Sequence, residues 1–158
     1  MACAHEIAAR YGRLMLPVAA TAHAALAAQM DAASARTHLK LVLGALAEFL
    51  LGTSETRLWR LFVQREMVNP GPAFEILYAQ LWQPGLELSA ALISRVLGQQ
   101  ATTQEGRLRA LLLISSLAAF DTGSHVAVRV LGWPDLREER LELVKKAVHD
   151  QIDLIADA

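Results

Sequence analysis

Apolar residues recur along this chain at intervals of three and four, the period of a helix that buries one face, and no stretch alternates convincingly like a strand. The pattern predicts an all-α fold, a single antiparallel bundle of about six helices spanning residues 1–158 as one domain. Ile7, Tyr11, Leu14, Val18, Ala22 and Leu26 stripe a first helix from about Ala4 to Met30, which Pro17 is expected to bend because it removes an internal hydrogen bond. A second helix starts near Ser34, carries Leu39, Val42, Leu43, Leu46, Phe49 and Leu50, and ends on Gly52 as a left-handed cap. Thr53 or Ser54 then caps a third, with Leu58, Trp59, Leu61, Phe62 and Met67, which stops before Asn69-Pro70-Gly71-Pro72. Pro72 suits the first turn of a fourth helix that presents Phe74, Leu77, Tyr78, Leu81, Leu88 and Leu92 and ends at Gly98. Pro84-Gly85 should kink it and strand the carbonyl of Gln80. Thr102 and Glu105 have the spacing of a capping box for a fifth helix, which runs to about Leu131 before Gly132. Asp135 and Glu138 signal the start of a sixth.

The fifth helix is apolar on nearly every side from Leu111 to Phe120, so it must be covered all round. Hydrophobic residues make up 54% of the chain, above the roughly 45–50% of an ordinary domain, which implies a face covered by a second subunit. The expected homodimer interface is a four-helix bundle about a two-fold axis, built by the last two helices. Its contacts are Leu112, Ser115 and Ala119 on the fifth helix and Leu141, Val144, Val148, Ile152 and Ile155 on the sixth.

A net charge of −1 and a pI near 6.5 give no basic field to attract phosphate backbones. Cys3 is the single cysteine and no Cys/His pair has zinc spacing, so a reducing compartment is expected, with no metal and no cofactor. Arg10, Arg13 and the run Leu14–Ala20 imitate a secretory leader, but Glu6 and the continuing helical stripe argue for a cytoplasmic chain. The most apolar run, Ala110–Phe120, falls well short of the ~20 residues of a membrane span. Phosphate loops, nucleophile elbows and di-iron Glu-x-x-His pairs are all missing from the sequence, which therefore does not read as an enzyme.

Charged and aromatic residues on apolar stripes mark the candidate ligand site. Arg65 and Glu66 lie on the apolar side of the third helix, where a charge must be paired, solvated or functional. Trp59, Phe62, Phe74, Tyr78 and Trp82 flank the Asn69–Pro72 turn and either fill the core or wall a cavity that the Pro84 kink holds open. His125 stands one turn after Asp121 and is expected to share a hydrogen bond with it, at the edge of the same pocket.

The stretches Trp59-Arg60-Leu61-Phe62-Val63-Gln64-Arg65-Glu66-Met67, Pro72-Ala73-Phe74 and Ile76-Leu77-Tyr78, with Gly132-Trp133 before the last helix, resemble the effector-binding region of TetR/AcrR-type bacterial transcriptional regulators, most closely the CecR-like subgroup. That resemblance implies a ligand-sensing and dimerisation domain for a small amphipathic effector. It also implies contact with DNA only through an N-terminal helix-turn-helix, which is missing from this chain. Met1–Ile7 reads instead as the run-in to the first sensor helix, as in a fragment, a late start or a natural loss. The rival reading is a helical protein-interaction module without a ligand pocket.

Overall fold

The computed structural model of the chain describes residues 2–52, 56–122, 124–135 and 138–155, with the side chains of 56–58, 122 and 138 outside that description. Among the described residues the fold is all-α: α1 Ala2–Ala27, α2 Ala32–Leu51, α3 Thr56–Val68, α4 Pro72–Leu77, a π-helical turn Tyr78–Trp82, α5 Gln83–Val96, α6 Gln104–Thr122, α7 Ser124–Leu131 and α8 Glu138–Leu154. None of these helices alone is long and apolar enough to cross a membrane.

The helix ends show which local signals acted. Asp31 caps α2, its carboxylate accepting from the Ser34 amide at 2.8 Å, so the helix begins a little before the expected Ser34. Gly52 was expected in a left-handed cap; its φ of −80° is right-handed instead. Among the described residues the left-handed glycines are Gly98 and Gly132, at φ +76° and +66°. In each case the following amide reaches back five residues, Gln99 to the Ser94 carbonyl and Trp133 to that of Val128, closing a Schellman motif. At the start of α6 the hydroxyl of Thr103, not Thr102, accepts from the Gly106 amide. The expected caps Thr53 and Ser54 lie outside the described residues.

Three antiparallel pairings make the body. Tyr11 on α1 meets Phe49 near the end of α2 edge to face, with centroids 5.4 Å apart. On α2 and α8, Lys40 pairs with Asp153 at 2.6 Å and Glu48 with Lys145 at 2.8 Å. Between α5 and α6, a Cβ at Gly106 would run into the Ser94 hydroxyl and come within 2.7 Å of the Ala90 carbonyl oxygen, so only glycine permits that approach. Leu39, Leu43, Leu92, Ile93, Leu117 and Ile152 are fully buried where these helices meet. Each contributes about 1.5–3 kcal/mol relative to an exposed position. Arg95 ties the lower loops together, donating to the side-chain oxygens of Gln100 and Gln29.

Several expectations change. The long fifth helix is divided into α6 and α7, and this chain by itself leaves one side of its middle open: Leu108, Leu111 and Leu112 are exposed, with Ser115 and Ala119 on the same side. The stripe assigned to a dimer contact on the last helix is turned inward. Val144, Val148, Ile152 and Ile155 are all buried in the chain's own core and Leu141 packs against it. The periodicity is real, but α2 supplies the partner. The outward positions of α8 are instead Leu143, Ala147, Gln151 and Leu154.

Candidate functional site

The structure meets the Pro84 problem by widening the helix just before it. Proline has no amide hydrogen to give and its ring crowds the carbonyl four residues back. The chain takes this up in the π-helical turn Tyr78–Trp82, with the Gln83 amide donating to the Tyr78 carbonyl five residues away. Such turns carry one extra residue and frequently mark functional sites. This one sets Trp82 and Leu81 against α1, α2, α5 and α6 around an apolar cavity of about 30 Å³, lined also by Tyr11, Met15, Leu46 and Ile114.

Two hydroxyls belong to that cavity. Ser89 is buried, with its Oγ lacking any hydrogen-bond partner, an uncommon and costly condition. Tyr11 points its hydroxyl at Gly85, where a Cβ would lie only 2.6 Å away, and burial pushes its pKa up to about 12. It therefore stays neutral and available as a donor. Neither residue stood out in the sequence as a site; the only signal was a serine on the apolar face of a buried helix.

Above the cavity a second apolar cluster joins α1, α3 and α4. Ala4, Ile7, Ala73 and Leu77 are buried there, with Trp59, Phe62, Val63, Leu81 and Trp82 packed around them. Phe74 stacks on Tyr78 with centroids 6.0 Å apart and tilts against Trp82 at 5.5 Å. Tyr78 itself is partly open to solvent. Arginines lie over the two α3 rings: Arg10 is 5.2 Å from the Trp59 centroid and Arg65 is 5.2 Å from that of Phe62. Arg65 is mostly exposed and donates to Glu66 Oε1 at 3.0 Å. Glu66 is the buried one of that pair, and its Oε2 has no partner.

Trp59, Phe62, Arg65, Glu66, Phe74, Tyr78 and Trp82 are thus brought onto one side of the molecule. His125 is exposed on α7, and in place of the hydrogen bond expected between it and Asp121 the carboxylate pairs with α3. Arg60 Nε lies 3.2 Å from Asp121 Oδ1 and Arg60 Nη1 donates to the Asp121 carbonyl. Desolvation outweighs the attraction of Arg60 and pushes the Asp121 pKa up to about 6.

An open groove of about 570 Å³ borders the second apolar cluster through Arg10 and Phe49 and is lined also by Arg13, Leu14, Glu48 and Leu141. Its one acid, Glu48, is engaged by Lys145. No group of three or more His, Cys, Asp or Glu placed to hold a metal ion occurs among the described residues. The chemistry on offer is recognition: aromatic walls, a half-paired carboxylate and two hydroxyls.

No curated protein sequence matches the chain. The family described as the C-terminal domain of the HTH-type transcriptional dual regulator CecR matches residues 35–158, well over half of its length.

Proposed function

Because the chain belongs to the CecR C-terminal domain family of TetR-type regulators, we propose that it senses a small amphipathic effector along the path from the α3 aromatics to the Trp82 cavity. The observation that carries the site is the cavity beside the π-helical turn, where the buried Ser89 hydroxyl lacks a partner. At about 30 Å³ the cavity holds roughly one water, so an effector must spread its walls. The turn is the element best suited to yield. An effector that binds the spread form more tightly raises its population, and in an intact regulator that shift passes to the DNA-reading helices.

Dimerisation is assigned to the exposed α6 stripe, Leu108, Leu111, Leu112, Ser115 and Ala119, with the outward residues of α8 beside it. The surplus of exposed leucine on α6 supports this assignment. The polypeptide acts as one domain, without catalysis, on the cytoplasmic side.

Two measurements test the reading. Benzyl alcohol, a neutral amphiphile, is expected to raise the melting temperature of the chain, and Ser89→Leu, which fills the cavity, to abolish that rise. A rise that survives Ser89→Leu removes the cavity from the reading. Sedimentation is expected to find a dimer that Leu112→Glu converts to a folded monomer; a wild-type monomer at high concentration rejects the interface.

A further inference from the structure

We propose that the polar end of this site is a receptor for an organic cation with flat, delocalised charge, an amidinium or guanidinium on an apolar body, and that Arg65 occupies it in the free protein. The inference rests on the effector-sensing reading and names the ligand class.

Glu66 carries the argument. Only 6% of the residue is exposed, yet one carboxylate oxygen is bonded only by the neighbouring Arg65 and the other by nothing. An ionised carboxylate accepts at both oxygens, and leaving one buried and empty is expensive. The fold keeps room beside that empty oxygen. Gly71 lies against it, and a Cβ there would crowd Oε2 at 3.3 Å, so glycine at this corner spares what space the oxygen has.

The neighbouring ring specifies the cation. Phe62 precedes Glu66 by one helical turn, so ring and carboxylate share one face of α3. A guanidinium already sits there, 5.2 Å from the ring centroid and 3.0 Å from Oε1, and it belongs to a side chain 68% exposed. A planar cation satisfies both partners, donating in its plane to the carboxylate and facing the ring with its π surface. Arg65 makes the same contacts from outside. Only the Arg65 end of the pair is exposed, so the arginine gives way as an incoming cation takes over the carboxylate, which is not left empty in between. The body of the ligand then follows Phe62, Trp59 and Val63 toward Leu81 and Trp82 in one continuous apolar cluster.

Calorimetric titration of the intact chain with benzamidinium, benzoate and benzyl alcohol tests this. Benzamidinium should bind and benzoate should not. Glu66→Gln should weaken benzamidinium by at least about tenfold, since a charge-assisted bond is lost, and affect benzyl alcohol, which carries no charge, far less. Arg65→Gln should tighten benzamidinium severalfold by removing the internal competitor. Equal binding of benzamidinium by wild type and Glu66→Gln overturns the proposal and leaves Glu66 as no more than the structural partner of Arg65. Should Glu66→Gln fail to fold, Arg65→Gln decides alone: tighter binding supports the receptor, and unchanged or weaker binding overturns it. Benzyl alcohol bound without benzamidinium overturns the cation receptor but leaves the effector reading standing. Binding of neither overturns both.

Discussion

Helices α5 and α3 are both rich in apolar residues, and they use them in opposite ways. From Leu88 to Val96, α5 buries nearly every side chain, with α2 and α6 against it and α1 at its start. Among the described side chains of α3 only Glu66 is buried, while Leu61, Met67 and Val68 are exposed. What holds α3 is sparser and partly directional: the Arg60 grip on Asp121, the Glu66 carboxylate and the packing of two half-buried rings. Non-directional packing fixes α5 in place, whereas a few specific contacts can be exchanged for those of a ligand. Regions that respond to ligands are drawn from the less stable part of a fold, and α3 has that character.

Three substitutions probe the contrast, in descending order of effect. Leu92→Ala removes a fully buried side chain from the centre of α5 and should cost about 2–5 kcal/mol in urea unfolding. A loss under about 1 kcal/mol would mean that α5 is no better packed than α3.

The second concerns the α3 grip and its dependence on pH. Asp121 has a folded pKa of about 6 against an ordinary value of 3.8, so the folded state takes up the proton first. Its contribution to stability is therefore unfavourable above that value and improves as pH falls through 6 towards 4. Between pH 8 and pH 5 the gain is about 1 kcal/mol. Asp31 and Asp153, held low by Ser34 and Lys40, lose their contributions only below about pH 4 and do not disturb this window. Asp121→Asn should flatten the difference in unfolding free energy between the two pH values; an unaltered slope would assign it to another group.

Leu61→Ala should change stability by less than about 0.5 kcal/mol, because a side chain 64% exposed has little packing to lose. A cost above about 2 kcal/mol would show Leu61 covered by something beyond this chain.

Much of the bundle was legible because helix period and stop signals are local. The stripes of Ile7 and Tyr11, of Leu39 to Leu46 and of Val144 to Ile155 all point into the core, and Gly98 and Gly132 end helices as their lack of a Cβ allows. Which partner a stripe meets is not local. Val144 and Val148 read equally well as facing a twin molecule or α2, and only the fold chooses α2. The division into α6 and α7 carried no proline to announce it. At the site, the aromatics and Glu66 were visible as misfits on apolar faces, whereas Asp121 goes to Arg60 rather than to His125, a choice made by residues sixty-one positions apart. The Ser89 cavity depends on five elements meeting, a property no single segment holds.

The wide turn at Tyr78–Trp82 stores one residue of slack within an otherwise continuous rod. Tightening it to ordinary helix would turn everything before Tyr78 by about 100° relative to α5. Phe74 would then swing off Trp82, and the Gly71 corner would carry the end of α3 with it. Deleting a single residue from this turn should therefore take up the slack and leave the upstream helices facing as they do, whereas straightening it at full length is a phase change.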